Sequence, residues 1–213
     1  MSLQLMSRDD WFRNQKWDAA TEAHFNEKLR RARDKAQPLR IQAYHLQNTD
    51  PKAALALLDR YFALGNHFDM ASAFLHQAEA QLALGEQEEA IRSLEKALQR
   101  ERDFPNVKTQ AWSRFVLLVA EEKLDHLYDK ALQVLKERAV SSLMFPVEAF
   151  LWNAAFALIA EAQGQRKHAV ETATKALEFA ALTHSGLRYH ADVGLVGTRY
   201  DELKNELSRL IES

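Results

Sequence analysis

The chain has 213 residues, with 28 Lys and Arg against 30 Asp and Glu, so its formal net charge is −2. That balance leaves no basic excess to drive nucleic-acid binding by phosphate neutralisation. The absence of cysteine excludes disulfides, thiolate metal sites and a cysteine nucleophile, and it fits a reducing cytoplasm. Alanine (33) and leucine (30) dominate, and only 6 Gly and 4 Pro interrupt them. This composition predicts an all-α protein, because both residues lose little on entering a helix.

The opening residues lack a positive segment followed by an apolar core, so no secretory signal is expected. The longest uncharged, mostly apolar stretch, 149–160, has 12 residues and is too short to span a bilayer. Residues 1–17 read as a separate aromatic-rich segment ahead of one helical domain over 18–213. Its Trp11, Phe12 and Trp17 either fold back as a cap or present anchors to a partner, and packing inward is the preferred reading. A first helix over 18–35 carries the basic run Lys28, Arg30, Arg31, Arg33 and Lys35, followed by Arg40. Lys28, Arg31 and Lys35 share a face that is able to track phosphates. Glu27 and Asp34 interleave, and no aromatic ladder accompanies the run. A solvated face is the favoured reading.

Helices are then expected at 37–48, 51–64, 68–84, 87–101, 106–123, 126–140, 147–163, 166–184 and 199–212. Thr49-Asp50-Pro51 supplies a capping residue and a proline for the first turn. Gly65, Gly85 and Gly164 each follow an apolar-periodic stretch, where a left-handed C-cap is expected. Pro105 and Pro146 open new segments. Short connections make neighbouring helices antiparallel. The loop over 186–197, with Leu187, Tyr189, Val193, Leu195 and Val196, is apolar enough to pack on its own chain or on a second copy. Packing within the chain is preferred, with a monomer expected and a homodimer as the alternative.

Four helices carry an alanine–aliphatic pair near their start: Ala54-Leu55, Ala90-Ile91, Ala131-Leu132 and Ala169-Val170, spaced by 36, 41 and 38 residues. The repeats fall near 35–66, 68–101, 106–140 and 147–184. Two of them place small residues and a turn glycine in one pattern: Ala78, Gly85, Ala90 and Ala97, then Ala157, Gly164, Ala169 and Ala176. Small side chains at these places let two helix axes approach closely. The pattern resembles the tetratricopeptide repeat. The third repeat departs from it with His126 at the turn and Arg138 at the last small position, and the first with Pro38 and Tyr61. The resemblance implies a right-handed array of about four antiparallel helical hairpins, an α-solenoid capped by helices at both ends. The chain's opening also resembles that of bacterial repeat proteins of unassigned function.

Chemistry is sparse. None of the eight histidines forms a His-Glu-x-x-His motif or an i, i+4 pair. His184, His190 and Asp192 share one loop, and His67 and Asp69 lie two apart, but neither set makes a metal site unaided. No nucleophile elbow, phosphate loop or dinucleotide fingerprint is present. No catalytic residue, metal or cofactor is therefore expected. In the resembled family the first helix of each hairpin lines a groove that holds a protein or peptide. By that mapping the groove contains Arg40, Ser72, Leu75, His76, Glu79, Ser113, Val116, Lys123, Leu158 and Glu161, with Ala43 and Gln47 between them. Leu39 and Ala43 stand where the chaperone-binding branch has Lys and Asn, which argues against a C-terminal carboxylate ligand. The expected function is a non-catalytic, cytoplasmic protein-binding module. The alternatives are a bacterial toxin-neutralising protein in a tight one-to-one complex, and an RNA-binding helical repeat using Arg30, Arg31 and Arg33.

Overall fold

The computed structural model describes residues 10–138 and 145–213. Among these residues it contains ten α-helices, short 3₁₀ turns and no strand. The helices are α1 (Ala19–Arg31), α2 (Ala36–Leu46), α3 (Pro51–Phe62), α4 (Met70–Ala83), α5 (Gln87–Asp103), α6 (Ala111–Glu121), α7 (Tyr128–Glu137), α8 (Pro146–Ala162), α9 (Arg166–Ala180) and α10 (Asp201–Glu212). The chain forms two compact units, Met1–Ala111 and Trp112–Ser213. Each is described on its own.

In the first unit α2 packs on α3, α3 on α4 and α4 along α5. Helix starts follow capping chemistry. The Asp18 carboxylate accepts the Thr21 N–H at 2.8 Å, and Asp50 Oδ1 accepts the Ala53 N–H at 3.1 Å ahead of Pro51. The Thr21 N–H also holds the Asp18 carboxyl below its usual 3.8. The alanines chosen for close approach, Ala78, Ala90 and Ala97, have no exposed surface. Ser93 Oγ on α5 donates to Gln81 Oε1 on α4 at 2.7 Å and fixes the pair laterally.

The N-terminal aromatics fold back. Phe12 is 5% exposed, and the Trp11 and Trp17 rings lie 5.4 and 5.3 Å from that of the fully buried Phe25. Asn14 and Gln42 clamp this segment to α2. Gln42 Oε1 accepts from Asn14 N at 3.0 Å and Asn14 Nδ2 at 2.8 Å, while Gln42 Nε2 donates to Asn14 O at 2.7 Å. Phe12 and Phe25 join Leu29, Leu39, Leu46, Leu58 and Tyr61 in one core, with Trp11 and Trp17 packed against it.

Two boundaries differ from expectation. The first helix stops at Arg31, because Ala32 turns into extended backbone (ψ 135°). Lys35 therefore leaves the face of Lys28 and Arg31 and stands at the N-cap of α2. The helix expected from residue 106 begins at Ala111. The buried Glu101 accepts from both the backbone N and the Oγ1 of Thr109, and Thr109 Oγ1 in turn accepts the Ala111 N–H at 3.1 Å. A tertiary acceptor thus holds the preceding loop away from helix.

In the second unit α7 packs on α8, α8 along α9, and α10 on α9 and α8. Ala157, Ala169 and Ala176 are again fully buried. Trp152 Nε1 donates to Leu135 O at 2.8 Å, tying α8 to α7, and its ring stacks on Phe156. α10 buries Leu203, Leu207 and Leu210. The last part of the 186–197 loop turns inward: Gly194 O accepts the Val147 N–H at 2.9 Å, and a Cβ at Gly194 would meet the Phe145 side chain at 2.4 Å. Tyr189 and Val193 remain exposed. The helix expected over 126–140 covers 128–137, and residues 139 and 140 lie outside the described residues.

Gly85 and Gly164 take left-handed φ values of 77° and 73° at the hairpin turns. Each turn closes with an i to i−5 bond, Glu86 N to Gln81 O at 2.9 Å and Gln165 N to Ala160 O at 2.8 Å. The turn after α6 has the same bond, Leu124 N to Val119 O at 3.0 Å, with Lys123 at φ 52°. The residue in the glycine's place is thus Lys123, not His126, which sits three positions later in a 3₁₀ turn. A side chain in this region costs about 1 kcal/mol that glycine avoids. Lys123→Gly is expected to raise stability by about that amount, seen as a higher urea midpoint at unchanged m.

Candidate partner-binding surface

Of the first-unit residues expected in the groove, Arg40 lies on α2 and Ser72, Leu75, His76 and Glu79 on α4, while Ala43 is fully buried. Arg40 and Tyr44, one turn apart on α2, lie beside His76 on α4. Arg40 Nη2 pairs with Asp69 Oδ2 at 3.1 Å, and Nη1 lies 3.4 Å from His76 Nε2. The Tyr44 ring sits 5.0 Å from the imidazole and is 50% exposed. Ser72, Leu75 and Glu79 are half-buried on the same helix as His76.

The electrostatics follow from burial. His76 is 9% exposed; desolvation, and then the Arg40 guanidinium, push its imidazole from the usual 6.5 down to about 3. It is neutral at pH 7, which leaves Nε2 free to accept from Arg40. Arg40 is thereby held on two sides, with its Nε buried and unpartnered. The result is an oriented cation with a half-exposed aromatic beside it.

Beneath this face lies Tyr61, 1% exposed, with its hydroxyl buried and unpartnered. Burial, then the Asp69 charge, push its hydroxyl up to about 12. An orphaned buried hydroxyl loses hydration without recovering a bond. Tyr61→Phe is expected to stabilise the first unit by about 1 kcal/mol, read as a shift of its denaturation midpoint.

The remaining expected groove residues sit elsewhere. Val116 has no exposed surface, and Ser113 and Leu158 have 7% and 8%, so they present almost nothing to a partner. Ser113 and Val116 are buried on α6, and for Leu158 the reason is visible in α8, which is apolar on every side: Leu151, Ala154, Ala155, Leu158 and Ile159 are all buried. A helix without a polar face makes a core, not a groove wall. Lys123 and Glu161 are exposed at helix ends, and Glu161 pairs with Arg166 at 3.0 Å. Sequence reasoning passed over Tyr44, and weighed Asp69 only beside His67 and not as a partner of Arg40. The i, i+4 relation of Tyr44 to Arg40 was the available signal for the first.

Among the described residues no group of three His, Cys, Asp or Glu side chains is placed to hold a metal ion. His184 of the histidine loop spends Nδ1 on the Gly186 N–H at 2.9 Å. Among the described residues no helix is long and apolar enough to cross a membrane. Compared with known protein families, curated proteins and solved structures, the chain matches none.

Proposed function

We propose that the chain is a non-catalytic, cytoplasmic protein-binding module of the tetratricopeptide type, its hairpins stacked with a right-handed sense. The buried alanine contacts and left-handed hairpin turns support that reading of the repeats. The observation that carries the function is the exposed Tyr44 ring against His76, whose imidazole also holds the doubly anchored Arg40. Tyr and Arg are the residues that dominate interface hot spots, because they bring large contact area and directed charge at low entropic cost. Leu75 adds apolar area at the same face, and Glu79 adds charge selectivity.

The test is affinity capture from native-host lysate at low and high salt, with wild type and Tyr44→Ala compared. A stoichiometric protein that survives high salt and falls at least about tenfold in recovery with Tyr44→Ala supports the reading. Equal recovery by both forms removes this face from the interface. Tyr44 is exposed enough for the variant to keep its fold, which circular dichroism checks.

A further inference from the structure

Trp11 and Phe12 stand beside the basic run, which in sequence has no aromatic company. Between the Asp10–Phe12 turn, the end of α1 and the start of α2 lies a hollow of about 360 Å³. Small-ligand sites begin at roughly this size, about 300 Å³. Its walls hold the half-buried Trp11 indole, the buried Phe12 and Pro38, and the exposed Lys28, Arg31 and Arg33. Asp34 is the single carboxylate among the lining residues, and its Oδ1 already accepts the Ala36 N–H at 2.9 Å. Three cations against one carboxylate leave a local excess of positive charge, whatever the net charge of the whole chain. Arg31 pairs with Glu27 at 2.9 Å, both side chains more than half exposed, and such a pair opens at little cost.

The combination selects a ligand. Arg and Lys together bind phosphate oxygens, Arg through its planar fork and Lys as a point charge. An indole beside them offers a stacking surface to a planar ring, which every nucleobase possesses. An acidic protein segment would use the cations and leave the indole idle. We propose that this hollow is a site for a nucleotide unit, with phosphate on Lys28, Arg31 and Arg33 and the base against Trp11. The unit comes either from a free nucleotide or from an unpaired nucleic-acid strand. The site is separate from the Tyr44 face and does not depend on the protein-binding reading.

The test uses the full chain with two probes, ATP and a fluorescein-labelled ten-residue oligoadenylate RNA, at low salt. Tryptophan fluorescence reads the first and anisotropy the second. Saturable binding of at least one is expected. ATP binding without the oligonucleotide identifies the free nucleotide. Tighter oligonucleotide binding, with a log affinity against log salt slope of about −2 for three cations, identifies the strand. In either case Lys28→Glu with Arg33→Glu lowers affinity more than tenfold. Trp11→Phe, which keeps an apolar ring against Phe25, lowers it severalfold. The proposal is overturned by absence of saturable binding of both probes at millimolar concentration. It is equally overturned if polyglutamate competes as well as nucleotide, or if binding is unchanged in the charge-reversed pair or in Trp11→Phe.

Discussion

Replacing Phe25 by alanine is expected to cost the first unit about 3–5 kcal/mol. Phe25 has no exposed surface and carries the Trp11 and Trp17 rings at 5.4 and 5.3 Å. The loss has two parts, the transfer free energy of the ring and the cavity left among rigid neighbours. Collapse into that cavity is restricted, because Asn14 is bonded to Gln42 and holds the segment in register. The measurement is chemical denaturation followed by tryptophan fluorescence, with Trp112 and Trp152 replaced by Phe. Trp11 and Trp17 then report the first unit alone, which matters because two compact units need not unfold together. A cost below about 1 kcal/mol would show that the aromatics are not core.

The second large effect is a loss of stability in mild acid. In the unfolded chain His76 takes a proton near pH 6.5; folded, it resists protonation until about pH 3. Between those values the unfolded state binds the extra proton, so stability falls as pH falls. The loss reaches about 2–3 kcal/mol by pH 4.5. His45, depressed by burial and then by Arg13, acts in the same direction. Asp18, whose carboxyl is also held below its usual 3.8, shares the sign of the effect, and its part of the loss comes as the pH falls through that value. Denaturation at pH 7.5, 6.0 and 4.5 reads the slope, and His76→Gln removes most of it. An unchanged slope in that variant would place the acid sensitivity elsewhere. Because His76 also holds Arg40, its protonation in the folded chain, near pH 3, sets two cations side by side and weakens the orientation of Arg40.

Helix positions were the most legible part of the sequence. Asp50-Pro51, Gly85, Gly164 and the paired alanines each act locally, through capping, backbone freedom or closeness of approach, and such effects survive without knowledge of the tertiary structure. What failed was nonlocal. Nothing in Arg31-Ala32-Arg33 announces a helix end, and nothing near Pro105 reveals that Glu101 captures Thr109. Lys123 accepts a backbone region that favours glycine, which no residue preference would suggest. The candidate surface was half legible. Arg40 and His76 followed from the repeat resemblance, but Ser113 and Val116 were assigned to a groove although α6 buries both, and Leu158 although α8 has no polar side to line one. The hollow at Trp11 was hidden for the simplest reason: its aromatic and cationic walls come from segments separated in sequence.

The Asn14–Gln42 clamp also sets an order of events during synthesis. Its partners are 28 residues apart, and at about 5–20 residues per second the ribosome needs a few seconds to make that stretch. Until α2 emerges, the Trp11, Phe12 and Trp17 side chains have left the tunnel with only α1, through Phe25, to pack against. The nascent chain therefore passes through an interval in which these three aromatics, lacking their α2 partners, are open to chaperones and to neighbouring nascent chains. Slowing translation while the stretch between Asn14 and Gln42 is leaving the tunnel would lengthen that interval, whereas slowing it once α2 is outside would not.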